Sequence, residues 1–308
     1  MTGPITAQPL AVLWDHLAAD GLIQRLIDLA HDEDLGQQGD VTSAACISPT
    51  TPGHARIIAR APGVISGLAA IPLILHRFAP RSSFTLLSSD GLPVPAHTDL
   101  ATLRGPLHEL LAAERTILNL LGRLSGVATL TATHVAALPP ATRARVYDTR
   151  KTTPGLRVLE KYAVRCGGGH SHRLGLHDAV LIKDNHIAGL PTASLPRFVA
   201  DAAARARARG HIAFVQVEAD TLEQFEALLS LPTGTIDIVL LDNMTPDQLR
   251  HASSRRDKVN PTLELEASGG VTLSTLPAIA STGVDRISIG ALTHHAVSLD
   301  VAMDVDEV

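Results

Sequence analysis

Asp148–Ile187 reads DTRKTTPGLRVLEKYAVRCGGGHSHRLGLHDAVLIKDNHI, and its order of signals decides how the rest of the chain is taken. An apolar run, Arg145–Tyr147, leads into it as a strand. Thr153-Pro154 then has the form of a helix start, a capping hydroxyl with proline at the first helical position. The glycine run from Gly167 should stop that helix. Ala179–Ile182 reads as the next strand. The stretch is also charged against the trend of the chain. All 308 residues together stand at −5, whereas Arg143 to Lys183 holds nine Lys/Arg against three Asp/Glu, a balance of +6. Cations gathered in this way suit an anionic ligand. Arg150-Lys151, His172-Arg173 and Lys183 stand beside turn signals or strand ends rather than along a helix face.

Downstream the same alternation continues. Ile212–Val217, Ile236–Leu241, Leu263–Leu265 and Arg286–Ile289 read as strands, and the segments between them carry explicit helix signals. Thr221…Gln224 and Thr245…Gln248 match the capping box, and Gly210 sits where a helix should end. Strands that are nearly continuous apolar runs, alternating with helices, predict a parallel sheet covered by helices, closed or nearly closed into a barrel. In such a fold the chemistry is built at the carboxyl ends of the strands. The residues found there are Asp148-Thr-Arg150-Lys151, Lys183-Asp-Asn, Glu218, Asp242-Asn243, Ser268-Gly269-Gly270 and Gly290-Ala-Leu. The last two suit a phosphate, because glycine lets backbone N–H groups come close to an anion. Glu218 and Asp242 suit a sugar diol, or a divalent metal with oxygen ligands. The residues alone therefore predict a barrel enzyme with a phosphate seat, two carboxylates, and cations for a polyanion such as a dicarboxylate or a pyrophosphate.

Upstream the pattern is different. Leu22 to Asp34 reads as an amphipathic helix with Leu22, Leu26 and Leu29 on one face, running into the polar turn HDEDLGQQGDVTS. The acids of that turn fit no EF-hand spacing and are expected to be solvated. His54 to Arg60 alternates as a strand, with Gly63–Gly67 as its expected partner. Ile71–Phe78 is helical, and Ser83–Ser88 and Ala101–Arg104 are short strands, which together predict a small α+β unit. From Pro106 about thirty residues follow the helical period, with Gly126 as the expected break between two helices. Aromatics at 3% and a net charge of −5 argue against a nucleic-acid partner. No apolar run is long enough to span a bilayer. The first ten residues do not read as a signal peptide and are expected to be poorly ordered. Cys46 and Cys166 form no disulfide framework, so a reducing cytoplasm is the default location.

Read whole, DTRKTTPGLRVLEKYAVRCGGGHSHRLGLHDAVLIKDNHI resembles the signature of the quinolinate phosphoribosyltransferase family. EDLGQQGDVTS, ERTILNLLGRLSGVATLT, VLLDNM, LEASGGV and ISIGALTH are similar to that family's other motifs, in the same order along nearly the whole chain. The resemblance implies a small N-terminal α/β sandwich domain over residues 1–118, rejoined by the tail 295–308, and an incomplete β/α barrel over residues 119–294. It implies a homodimer at least, with shared sites into which Arg115 reaches from the neighbouring subunit. It implies transfer of phosphoribose from phosphoribosyl pyrophosphate to quinolinate with Mg²⁺, giving nicotinate mononucleotide, pyrophosphate and CO₂. By position, Arg115, Arg150, Lys151, Thr152, His172, Arg173 and Lys183 would serve the dicarboxylate and pyrophosphate. Glu218 and Asp242 would hold ribose hydroxyls and metal, and Ser268, Gly269, Gly270 and Gly290 the 5-phosphate. Lys151, Glu218 and Asp242 would be catalytic, and His294 matches a histidine of the last motif.

Four positions depart from the family pattern. Gln216 stands for an outer Glu; placed on the opposite face of its strand from Glu218, it is expected to matter little. His170-Ser171 replaces small or amide residues, and His295 a serine. The nearest alternative is a related transferase of the molybdenum-associated type acting on another acid. A barrel lyase with Lys183 as a Schiff-base lysine leaves the clustered cations unexplained, and a phosphometabolite sensor would bind without releasing pyrophosphate.

Overall fold

The computed structural model describes residues 8–306. The poor order expected of the N-terminus therefore falls, for residues 1–7, outside the described residues. In chain order the elements are α1 (Leu10–Ala18), α2 (Leu22–Leu35), α3 (Val41–Cys46), β1 (Pro52–Ala59), β2 (Gly63–Val64), α4 (Ile71–Phe78), β3 (Ser83–Leu86), β4 (Pro93–Val94), β5 (Thr98–Pro106) and α5 (Leu107–Ala136). Then come β6 (Arg145–Tyr147), α6 (Arg157–Cys166), β7 (Val180–Ile182), α7 (Leu195–Arg207), β8 (Val215–Ala219), α8 (Leu222–Leu229), β9 (Ile238–Asp242) and α9 (Pro246–Val259). The chain closes with β10 (Glu264–Ser268), α10 (Leu276–Ala280), β11 (Arg286–Ser288), α11 (Ala291–His294) and β12 (Val301–Val305). Two compact units result: residues up to 132 with 152–168 and 291 onward, and residues 133–151 with 169–290.

The first unit is built on an antiparallel sheet in the order β12-β1-β5-β3. β1 alternates strictly, with Gly53, Ala55, Ile57 and Ala59 buried, the period-two pattern of a sheet with one face on a core. Its partners are β5 and the C-terminal β12. The expected pairing with Gly63–Gly67 does not form: β2 pairs with β4 instead. α2 is helical as read, but Ile23 and Ile27 are its buried residues, while Leu22 and Leu29 face solvent. The helix also runs on through Asp32, Glu33 and Asp34, and Asp40 caps α3 by accepting from the N–H groups of Thr42 and Ser43, both at 3.0 Å.

α5 is continuous for 30 residues, about 45 Å at 1.5 Å per residue. Gly126 is not a break. A Cβ there would collide with the Val297 carbonyl oxygen, and one on Gly122 would come within 2.9 Å of the Leu299 oxygen. Both glycines let the returning tail lie against the helix, where Leu299 N–H donates to the Gly122 oxygen at 2.9 Å. α6 starts later than Thr153-Pro154 predicts, at Arg157. Thr153 does not cap it but donates its N–H and hydroxyl to Glu160, at 3.0 and 2.9 Å. Glu160 is fully buried and also accepts from Arg123 at 2.6 Å. A buried charge demands such partners, and here that demand overrides the local capping signal.

The second unit is a six-stranded sheet in the order β6-β11-β10-β9-β8-β7, parallel throughout. β6 and β7, consecutive in sequence, are its two edges, so the barrel is incomplete. Residues after the glycine run lie along β6: His170 bridges Tyr147 in parallel, and Asp148 N–H donates to the His170 oxygen at 3.0 Å. The strands are buried on both faces, as helix-covered parallel strands must be. Both predicted capping boxes are present, at Thr221 of α8 and Thr245 of α9.

Candidate active site

In the second unit the β7–β8 register pairs Ile182 with Val217, which brings the next residue of each strand, Lys183 and Glu218, side by side. Lys183 Nζ lies 3.1 Å from Glu218 Oε2, and Glu218 is almost wholly buried. Glu218 pairs across the sheet with Leu240. Asp242, two residues further along β9, therefore shares its face one pleat nearer the carboxyl end. Asp220 ends up at the same rim. Its carboxyl is held above the ordinary range by burial and by the neighbouring charges of Asp242 and Asp184.

Beyond β9, Asn243 takes a left-handed conformation, φ 52. It donates its side-chain amide to Asp242 Oδ2 at 2.6 Å and its N–H to the Ser268 oxygen at 2.9 Å. Gly269 presses on it: a Cβ there would collide with Asn243 Oδ1 and sit 3.0 Å from its backbone nitrogen, at φ +90. Gly270 follows at φ +59. Ser268-Gly269-Gly270 thus forms a bare backbone turn, with the two glycines exposed, and Gly290 follows β11 at the same end of the sheet.

Arg173 is buried, and its guanidinium is held below its ordinary value by burial and then by Arg150. Two cations are thus close enough to repel each other. Arg173 Nη1 reaches the Ala179 oxygen at 3.4 Å. Lys151 is exposed and its N–H donates to Thr149 Oγ1 at 3.0 Å.

Further down the same strands lies a buried polar group that the sequence reading missed. Gln216 is fully buried and faces the same side as Glu218, since residues two apart in a strand share a face. Its expected position on the opposite face is therefore corrected. Gln216 Oε1 lies 2.7 Å from His172 Nε2. Glu266 Oε1 is 3.5 Å from the same nitrogen, and Arg286 Nε is 2.9 Å from Glu266 Oε2. The Arg286 guanidinium stacks over Tyr147 at 3.8 Å. Burial alone would lower Arg286, but Glu266, Tyr147 and Glu264 outweigh it and hold the guanidinium above its ordinary value. The alternation in VQVEAD and LELEAS is the sequence signal that could have placed Gln216 and Glu266 on the inner face.

Three further predicted residues belong to the first unit. Arg115 is exposed on α5, 3.8 Å from Glu114, and lines an open hollow of about 310 Å³ with Asn119, Gly122 and residues 298–301. Thr152 accepts from Arg157 Nε at 3.0 Å. His294 ends α11 with its ring edge-on to His295.

Comparison with known proteins covers most of the chain. Residues 40–125 match the family model "Quinolinate phosphoribosyl transferase, N-terminal domain", and residues 127–304 match its C-terminal domain. A probable nicotinate-nucleotide pyrophosphorylase [carboxylating] of Bacillus subtilis is 40% identical over 285 residues, 92% of this chain and 93% of that protein. The nicotinate-nucleotide pyrophosphorylase [carboxylating] of Mycobacterium leprae is 41% identical over 275 residues, 89% of this chain and 93% of that protein. Among solved structures, the nicotinate-nucleotide pyrophosphorylase of Francisella tularensis superposes with a TM-score of 0.81 at 32% identity, covering 99% of this chain and 100% of that one. With both domains of the fold matched in sequence and in shape, the chain belongs to the quinolinate phosphoribosyl transferase family.

Proposed function

We propose that this chain transfers the phosphoribosyl group of phosphoribosyl pyrophosphate to quinolinate and releases pyrophosphate and CO₂, leaving nicotinate mononucleotide. The observation that carries the reading is the shared strand-end face of Lys183, Glu218 and Asp242, with Lys183 Nζ 3.1 Å from Glu218 Oε2, at the same end of the sheet as the exposed glycine turn. The guanidinium of buried Arg173, held below its ordinary value by burial and then by Arg150, is stabilised by a dianion beside it. A pyridine dicarboxylate is such a dianion, and planar guanidinia suit bidentate carboxylate capture. The bare turn at Ser268-Gly269-Gly270, with Gly290, takes the 5-phosphate. Lys151 and Lys183 take pyrophosphate oxygens as point charges.

The pyridine nitrogen attacks the anomeric carbon as the bond to pyrophosphate breaks. Positive charge that develops on the ribose is stabilised by Glu218 and Asp242 from the face they share. As the adjacent carboxylate leaves as CO₂, its bonding electron pair stays on the ring carbon, stabilised by the neighbouring cationic nitrogen, and a proton from solvent then fills that position. The cations around the dicarboxylate must orient it without over-stabilising the group that leaves.

Mg²⁺ fits the oxygen-rich rim of Asp242 and Asp220, whose mutual repulsion a hard cation would relieve. Among the described residues no group of three or more potential ligands converges, so the cation would keep waters and arrive with pyrophosphate, where it supplies charge neutralisation. Arg115, exposed on α5, would serve the partner's site in a homodimer. Two free cysteines support a cytoplasmic location; no helix among the described residues is long and apolar enough to cross a membrane. Titration calorimetry tests the reading: quinolinate should bind the protein, and Arg173→Ala should lose about 2 kcal/mol or more of that binding. Equal affinity in both proteins removes the dicarboxylate assignment.

A further inference from the structure

Both ring nitrogens of His172 are committed inside the second unit. Arg173 N–H donates to Nδ1 at 2.7 Å, so Nδ1 presents a lone pair and carries no proton. Nε2 faces Gln216 Oε1 at 2.7 Å, and a carbonyl oxygen only accepts, so Nε2 carries the hydrogen. Turning the Gln216 amide round would set an NH₂ against Nε2 and require a second lone pair on a ring that has already used its one. An imidazolium would instead aim Nδ1–H at the Arg173 N–H. The geometry is satisfied by a single state: neutral imidazole, protonated at Nε2.

The charges around the ring are consistent with that state. From β10, Glu266 would draw a proton toward Nε2, but Arg286 of β11 lies 2.9 Å from its other oxygen. Glu264 and Tyr147 engage the same guanidinium, and the edge of Phe214 faces the imidazole at 5.3 Å. Asp148, after β6, accepts the His172 backbone N–H at 2.7 Å through Oδ1. Arg173 and, through it, Arg150 add positive charge on the remaining side. Gln216 on β8 places an uncharged acceptor where a carboxylate would pull His172 to the cation.

We propose that Gln216 is a positioning residue: it holds His172 as the neutral Nε2–H imidazole, whose Nδ1 in turn fixes the Arg173 backbone and so aims its guanidinium. The consequence for quinolinate rests on the proposed function above; the state of the ring does not. The test is long-range ¹H–¹⁵N NMR of protein labelled at histidine, with His172 assigned by its loss in His172→Asn. The His172 pattern should be that of the Nε2–H tautomer and should stay constant from about pH 5.5 to 8.5, across the ordinary histidine range near 6.5. A Nδ1–H pattern, or ordinary titration, overturns the proposal without touching the assigned reaction. In Gln216→Glu the pattern should move to imidazolium within that range, and the KM for quinolinate should rise about tenfold or more, with kcat and the KM for phosphoribosyl pyrophosphate within about twofold. Gln216→Met, of similar length and without an acceptor, should lose the single tautomer and show the same KM split. Either variant with an unchanged quinolinate KM and a changed ring state overturns the positioning role. If neither substrate is turned over by any form while the wild-type ring is as described, the proposed function fails and the state of His172 stands.

Discussion

Gly269→Ala puts the phosphate turn under a strain that can be divided into parts. At φ +90 an L-residue costs about 1–2 kcal/mol. The new methyl would also overlap Asn243, with Cγ at 2.6 Å and the backbone nitrogen at 3.0 Å. Asn243 can swing away only by giving up its 2.6 Å hydrogen bond to Asp242, a loss of about 1 kcal/mol. Together these predict a destabilisation of about 2–3 kcal/mol. Asn243→Gly removes the overlapping side chain and suits the left-handed φ of 52 at that position. On that background Gly269→Ala should cost only the backbone part, about 1–2 kcal/mol, so the cycle should show a coupling of about 1 kcal/mol. Urea midpoints with unchanged m-values give the stabilities. Steady-state kinetics should show the KM for phosphoribosyl pyrophosphate raised more than that for quinolinate. The reasoning fails if Gly269→Ala costs less than about 0.5 kcal/mol and leaves both KM values in place.

Asp220 offers a pH test. Its folded carboxyl is raised above the unfolded value, so ionising it costs more in the folded state; the penalty is absent below about pH 4, the unfolded value, and present in full above the folded one. Asp220→Asn should therefore raise Tm at pH 7 to 8 and leave it unchanged near pH 3.5, as differential scanning calorimetry can show. Burial pushes the Cys166 thiol up to about 12, while Cys46 is exposed. A thiol reagent at pH 8 should label one cysteine in the native protein and two in denaturant. If sites are shared, equal mixing of inactive Arg115→Ala and Lys151→Ala subunits should restore about a quarter of wild-type activity, because half of the dimers are hybrids with one intact site. Activity that stays at the level of the parents contradicts a site completed by the partner.

Much of the second unit was legible because parallel strands buried on both faces read as apolar runs, and because α8 and α9 begin with complete capping boxes. The strand-end chemistry could be read for the same reason: once β7, β8 and β9 are placed, the positions of Lys183, Glu218 and Asp242 follow. What stayed hidden depends on distant partners. Gly126 looks like a break until the tail at Val297 is laid against it. Thr153 looks like a cap until Glu160 and Arg123 claim its donors. Gly63 looks like a continuation of the first hairpin, but β5 and β12, far along the chain, take both edges of β1. The Gln216 error was one of parity rather than distance: positions 216 and 218 share a face by strand geometry alone.

The central claim is the reaction, and labelled substrate tests it most directly. Quinolinate carrying ¹³C in the carboxylate beside the ring nitrogen is incubated with phosphoribosyl pyrophosphate, Mg²⁺ and the protein, and products are followed by mass spectrometry. Unlabelled nicotinate mononucleotide should form together with equal amounts of pyrophosphate and ¹³CO₂. A nucleotide that keeps the label, or substrates that bind and are returned unchanged, would contradict the account.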